Sequence, residues 1–397
     1  MIGNDVALTL ARLETVLLDL PTIRPHVLAM ATMRVQSIVL VRLTNSDGVE
    51  GIGEGTTIGG ASYGPESPEG IKLVIDRYIA PLLEGEDLTR VGAVMAKINK
   101  HVAGNNIAKC AVETALVDAQ ARRLGVAASE LIAGGRVRSH LPVAWTLASG
   151  ETARDIEEAE AMLAARRHNV FKLKIGKRDV RADAAHVAAI KKALGERASV
   201  RVDVNQGWSE TQAELGMRLL AQAGVDLVEQ PVMRGSGALA RLSARHDVPI
   251  MADESLHGAR DGFAVAAGAQ ARVFAIKIAQ SGGLFPASDV ARMGHAAGLG
   301  LYGGTMLEAG VGTAASAQLC ATFPSLEWGT ELFGSLLVRE DILAEPLRYA
   351  DFSLQVPDGP GLGVQLDEAK VAHFRRDRTA PLLHAVAKKG EANAVSG

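Results

Sequence analysis

Five charged residues close five successive apolar runs in the second half of this 397-residue chain: Lys174, Asp203, Glu229, Asp253 and Lys277, separated by 29, 26, 24 and 24 residues. The runs occupy residues 170–175, 200–204, 227–229, 249–252 and 273–278, and a sixth, uncharged one lies at 300–302. Helical periodicity fills intervening stretches at 153–165, 182–194, 211–223 and 285–297. Repeated strand–helix units of this length imply a parallel sheet with right-handed crossovers. A doubly wound sheet gathers its ligand at one switch point, whereas a barrel brings the ends of many strands to one mouth. Polar ends on five consecutive strands therefore predict a βα barrel.

Side chains alternate along a strand, so Lys172 and Lys174 share one face while Phe171, Leu173 and Ile175 share the other. Val273, Ala275 and Lys277 likewise point together, and Asp203 opposes Val202 and Val204. Three carboxylates (Asp203, Glu229, Asp253) and three lysines then converge at the mouth. A carboxylate at a strand end often serves only to cap the next helix, but here the regular spacing and the paired lysines point to a shared site. Three buried carboxylates cannot all stay ionised without a cation, since an unpaired buried ion costs several kcal/mol. Oxygen ligands with no His or Cys cluster nearby select Mg²⁺ or Mn²⁺. An ion that also holds a substrate carboxylate lowers the barrier to an enediolate. The proton carrier must then work near neutral pH, about three units below a free lysine. Lys172 supplies a like charge beside Lys174, and Lys277 approaches from half way around the ring.

The remaining sequence sets limits on partners and compartment. With 48% hydrophobic and 22% charged residues the chain is ordinary globular material, and a net charge of −3 suggests neither a nucleic-acid scaffold nor a polybasic membrane binder. Lys191-Lys192 and Lys388-Lys389 read as solvated faces. Cys110 and Cys320 make no disulfide framework and no zinc spacing. No secretory pattern opens the sequence and no apolar run approaches the roughly 20 residues of a membrane helix, so a cytoplasmic protein is expected. Residues 1–55 read as an antiparallel meander, and helices follow at 71–83, 88–102 and 106–124, a segregated α+β unit. Gly51-Ile52-Gly53-Glu54-Gly55 lacks the context of a dinucleotide or phosphate loop. Alternation returns at 351–365, a segment placed to rejoin the N-terminal unit.

These residues resemble the enolase superfamily, and within it the muconate cycloisomerases, over residues 10–376. The resemblance rests on Lys172-Leu173-Lys174, Asp203-Val204-Asn205, Glu229-Gln230-Pro231, Ala252-Asp253-Glu254-Ser255, Lys277 and Gly329-Thr330-Glu331-Leu332-Phe333-Gly334. It implies an α/β fold, a modified TIM-like (β/α)7β barrel with an N-terminal α+β capping domain. Asp203, Glu229 and Asp253 would bind Mn²⁺ or Mg²⁺, Lys174 would be the acid/base, Lys172 its electrostatic partner and Lys277 the opposite-face lysine. Glu331 matches a proton-donating acid, with orienting Lys277 or a loop as its other reading. Residues 20–26 and 57–64 resemble two mobile capping loops, with Ile58 and Tyr63 lining the pocket and Asn205 also touching substrate; His26 would be either a substrate contact or solvent-exposed.

The implied reaction interconverts cis,cis-muconate and muconolactone, in catechol breakdown, through a metal-stabilised enolate and without a redox cofactor. Similar enzymes assemble as octamers. A chloromuconate cycloisomerase, a dipeptide epimerase and an o-succinylbenzoate synthase share the ring. Epimerases carry an Asp-x-Asp after the eighth strand, a place expected here at Gly303 to Glu308, where no such pair stands. The expected division is a capping domain at 1–135, the barrel at 136–345, a returning segment at 346–376 and a disordered tail at 377–397.

Overall fold

A computed structural model describes residues 7–27 and 32–376; the expected tail lies outside the described residues. The N-terminal sheet is the expected meander, β1 (Leu10–Val27), β2 (Thr32–Asn45) and β3 (Glu50–Thr56), antiparallel in the order β1-β2-β3. The first of its helices starts earlier than expected, at Pro68, where the Ser67 hydroxyl accepts from Gly70 N, and continues through a π-helical turn at Ile75–Ile79. The second covers Val91–His101 and the third Asn106–Leu124.

The third helix is buried along most of its length because β3 lets it approach to backbone contact. A Cβ on Gly51 would stand 2.0 Å from the Ala115 carbonyl oxygen, and one on Gly53 2.0 Å from that of Ala111. The alternating glycines are thus the seat of a helix. Glu54 points away from it, accepting from Ala309 N at 2.7 Å and Gly312 N at 2.8 Å at the start of helix Gly310–Cys320. Glu113, on the third helix, accepts from Phe285 N at 3.2 Å at the start of helix Leu284–Ala296. Two buried carboxyls therefore join the N-terminal unit to helix N-termini of the barrel.

After the short β4 (His140–Pro142) the barrel is built from β5 (Trp145–Leu147), β6 (Val170–Lys174), β7 (Ser199–Asp203), β8 (Leu227–Glu229), β9 (Ile250–Ala252), β10 (Val273–Ile276) and β11 (Gly300–Gly303), parallel and adjacent in chain order. Sequence reading missed β4 and β5, each only three residues long. Thr330 closes the ring by single bridges to Gly303 and Val143. Its N–H donates to the Pro142 carbonyl at 2.7 Å, its own carbonyl accepts from Ala144, and Glu331 N donates to Gly303 O at 2.7 Å. The seventh position is therefore 300–303 and the eighth 329–331. The expectation that Gly303 to Glu308 follows the eighth strand is corrected accordingly, and Glu331-Leu332-Phe333, which does follow it, holds no Asp-x-Asp either.

Alternation fills both sides of the barrel wall. Leu227, Met251, Val273, Ala275 and Tyr302 form an inner cluster with Trp328, while Phe274 faces helices Ala259–Ala267 and Leu284–Ala296 closely enough that a Cβ on Gly294 would meet it at 2.8 Å. The Arg201 guanidinium, also inside, lies over the rings of Tyr302 and Trp328 at 5.6 and 5.2 Å. Beyond the barrel, β12 (Tyr349–Ala350) pairs with β13 (Ser353–Gln355), and β13 pairs with β4 rather than with the N-terminal sheet. Only further on does the chain reach that unit: Gly361 bridges Ala127, Leu362 N donates to Asp118 Oδ1 at 2.7 Å, Arg375 bridges Leu18, and Arg376 pairs with Asp19.

Candidate active site

The strand ends deliver their charged side chains to one mouth. Lys174 ends β6, Asp203 ends β7 and Glu229 ends β8; Asp253 and Lys277 immediately follow β9 and β10. Carboxylate oxygens of Asp203, Glu229 and Asp253, all buried, lie within 4.8 Å of one another. Lys174 Nζ donates to Asp203 Oδ2 at 2.5 Å and Asn205 Oδ1 at 3.3 Å. Across the ring, Lys277 Nζ donates to Asp253 Oδ2 at 2.6 Å and to the Tyr63 hydroxyl at 3.1 Å. Lys172 Nζ stands between, donating to Glu229 Oε2 at 2.9 Å and to Glu331, with Asp203 Oδ2 at 3.7 Å.

Local turns fix these ends. Asn205 N donates to Asp203 Oδ1 at 2.8 Å, and Gln230, at φ +35°, turns its amide oxygen to Asp253 N at 3.1 Å. The Asp-Val-Asn and Glu-Gln-Pro motifs are thus turns that fix Asp203 and Asp253 at the mouth. Asn205 Nδ2 goes to Glu254 Oε1 at 3.0 Å, so this residue flanks Lys174 and does not line the cavity. Glu331 Oε1 accepts from Thr146 at 2.8 Å while Oε2 accepts from Lys172. The residue it orients is Lys172, not Lys277.

The electrostatics follow from dense burial. Burial opposes ionisation of Asp253, but Lys277 overrides it and holds that carboxyl below its usual range. Asp203 is likewise lowered against burial by Lys174 and Lys172. Glu229 goes the other way, raised well above its usual value by burial and by Asp203. Burial disfavours charge on Lys172, yet Glu229 and Glu331 raise it well above an ordinary lysine; Lys277 is raised against burial by Asp253. Glu254, pushed up to about 8 by burial and then by Asp253, keeps one buried oxygen, Oε2, without a partner. An all-oxygen donor set, one carboxyl whose ionisation burial and its neighbours oppose and one orphaned oxygen on adjacent Glu254 fit a hard divalent cation.

A cavity of about 20 Å³ adjoins the ring, lined by His26, Ile58, Tyr63 and Leu307 together with Thr146, Thr305, the three lysines and Glu331. Residues 57–64 form the expected loop, whereas residues 20–26 belong to β1, in a stretch whose pairing with β2 is irregular between Pro21 and His26. His26 is buried, not solvent-exposed; burial, then Arg24 and the site lysines, lower its pKa to about 3, so its ring is neutral. Thr146, Thr305 and Leu307 were not singled out from sequence. Thr146 sits on the short β5, and the other two follow β11, where the only signal is the run Gly303 to Glu308.

Residues 154–370 match the family Enolase C-terminal domain-like, and residues 12–133 match the Mandelate racemase / muconate lactonizing enzyme, N-terminal domain. The chain belongs to the enolase superfamily. Among relatives of this superfamily member, muconate cycloisomerase 1-1 of Acinetobacter lwoffii is 59% identical over 94% of this chain and 97% of its own. A chloromuconate cycloisomerase of Cupriavidus necator is 46% identical over 92% of this chain and 98% of its own. The crystal structure of muconate lactonizing enzyme from Pseudomonas fluorescens complexed with muconolactone superposes with a TM-score of 0.92, at 55% identity, covering 94% of this chain and 100% of that one.

Proposed function

We propose that this chain is a divalent-metal-dependent muconate cycloisomerase, interconverting cis,cis-muconate and muconolactone in the breakdown of aromatic compounds through catechol. The observation that carries the reading is the opposition of Lys174 and Lys277, four strands apart across the carboxylate triad, beneath residues of the N-terminal unit. The likeness to enzymes bearing that name, at 52–59% identity against 44–46% for chloromuconate enzymes, supports the unchlorinated substrate.

In lactone formation one carboxylate oxygen of the dianion bonds to the nearer carbon of the remote double bond, the γ carbon counted from that carboxylate, and the electron pair of that double bond moves toward the second carboxylate. A proton added to the carbon beside that carboxylate completes the lactone, so each turnover consumes one proton. Lys174 Nζ carries this proton on one face of the substrate, and Lys277 Nζ holds positive charge at the other. Mn²⁺ or Mg²⁺ held by Asp203, Glu229 and Asp253 would supply positive charge to the carboxylate on which the electrons collect. Lys172, fixed by Glu229 and Glu331, keeps its proton and steadies the triad. Ile58, Tyr63, Leu307 and neutral His26 close the cavity against water. At about 20 Å³ it holds no six-carbon diacid, so substrate entry displaces the cap loop at 57–64 that carries Ile58 and Tyr63.

The same reading extends to a cytoplasmic homo-octamer; exposed Leu73 and Tyr78 on the helical stretch after Pro68 are surface that assembly would cover. No helix among the described residues is long and apolar enough to cross a membrane. The test is incubation of purified protein and Mn²⁺ with cis,cis-muconate, followed by ultraviolet absorbance and product NMR. The expected result is loss of the diene band with stoichiometric muconolactone; a stable band with Mn²⁺ bound contradicts the assignment.

A further inference from the structure

Gln280 is buried on the short helix Ile278–Ser281 that follows Lys277, and nothing in the reaction above uses it. Its side-chain amide faces two partners from different parts of the chain. Nε2 donates to Asp253 Oδ1 at 3.0 Å and to the Asp253 carbonyl at 3.3 Å, while Oε1, at 3.3 Å from the Tyr63 hydroxyl, is the weaker of two acceptors sharing the one proton that hydroxyl also gives to Asp253 Oδ2. The two acceptors on Asp253 fix the amide's orientation, since an amide turned the other way would set oxygen against oxygen. The backbone is fixed as well: the Gln280 carbonyl accepts from Asn106 Nδ2 at 2.7 Å, at the first residue of helix Asn106–Leu124.

Asp253 is therefore held on both oxygens. Oδ2 takes Lys277 at 2.6 Å and Tyr63 at 2.9 Å, and Oδ1 takes Gln280. Tyr63 belongs to the cap loop at 57–64, which substrate entry has to displace. When that loop moves, the hydroxyl leaves Asp253 Oδ2 and Gln280 Oε1 together, and the Asp253 carboxylate keeps only Gln280 Nε2 and Lys277 to set its plane.

We propose that Gln280 is a positioning residue that orients Asp253 toward the cation and couples that orientation to the seating of Tyr63 over the site. This rests on the carboxylate triad being the metal site. Partners that orient a metal ligand set affinity by about 10- to 100-fold even though they never touch the ion. Gln280 is the side chain that touches both a triad carboxylate and the cap while carrying no charge of its own, so it transmits geometry without competing for the cation.

Mn²⁺ binding to the resting protein, read from loss of the free-ion EPR signal, tests this without any turnover. Gln280→Leu is expected to weaken Mn²⁺ binding by about tenfold or more. Tyr63→Phe, which removes one hydroxyl and keeps the ring, is expected to weaken it severalfold in the parent but to add little in the Gln280→Leu background, the non-additivity that contacting residues show. A purely structural role for Gln280 would lower Tm and leave the Mn²⁺ affinity of the folded protein unchanged, and that result overturns the proposal. Should Gln280→Leu fail to fold, Tyr63→Phe alone decides, since unchanged Mn²⁺ affinity there removes the coupling. A parent that binds no Mn²⁺ overturns this proposal together with the metal site. Weakened binding in the variants of a parent that does not convert cis,cis-muconate upholds the positioning role and overturns the substrate.

Discussion

Two buried sets of carboxyl groups in this protein solve the same desolvation problem in opposite ways. At the barrel mouth, Asp203, Glu229 and Asp253 each touch a lysine, and two of the three are held ionised against burial. At the seam between the N-terminal unit and the barrel, Glu54 and Glu113 face backbone N–H groups at helix N-termini, and no lysine or arginine among the described residues pairs with either. Burial raises their pKa values to about 7 and about 8. Burial therefore tilts the seam carboxyls toward their neutral form, whereas the mouth holds separated charge. Only the mouth, with one carboxyl still pushed up by burial and its neighbours, has the arrangement that a cation would complete.

The sharpest way to break the contrast is to remove the charge proposed to carry the proton. Lys174→Ala is expected to lower kcat by about 10²- to 10⁴-fold, the usual worth of a positioned acid or base, with Mn²⁺ still bound; steady-state kinetics with cis,cis-muconate measures it. Retention of parental kcat would leave the lysine as scenery. Next comes the cation. At about a hundredfold excess over its Kd, Mn²⁺ is expected to stabilise the parent by on the order of 3 kcal/mol, seen as a rise in Tm that chelation reverses and Asp203→Asn abolishes. An equal rise in Asp203→Asn would move the ion away from the triad.

The seam responds to pH instead. Folded Glu113 keeps its proton to about pH 8, while the unfolded chain releases it near 4.5. Its stabilising contribution is complete below about 4.5 and is lost as pH rises through about 8. Glu113→Gln, which keeps an acceptor for Phe285 N, is expected to flatten the fall of Tm with pH across that window and to leave Mn²⁺ affinity unchanged. Parallel Tm curves for parent and variant would show that the seam holds its carboxyl charged.

What the sequence disclosed and what it hid have physical causes. The ring was legible because strand alternation is strictly two-fold, so a lysine at 172 and 174, or an acid at 203, declares its face without tertiary information. Which residues close the predicted barrel was not, since Thr330 bridges both neighbours as one residue and one residue has no period. Residues 20–26 read as a loop only through the family resemblance; they belong to β1, and Pro25 falls in the stretch after Pro21 where pairing with β2 lapses, which is where a missing N–H is tolerated. Gly51, Gly53 and Gly55 were recognised as no nucleotide loop, but their role needed the helix that rests on them. Gln280 carried no signal at all, because an amide acquires meaning only from the two groups it faces.

Turnover of cis,cis-muconate in ²H₂O with Mn²⁺ tests the opposed-lysine site most directly. One deuteron per muconolactone is expected, at a single stereochemical position of the carbon beside the free carboxylate, with Lys174→Ala losing both the product and the label. Parental turnover by Lys174→Ala, or deuterium spread over both positions in the parent's product, would contradict delivery of the proton by Lys174 from one face.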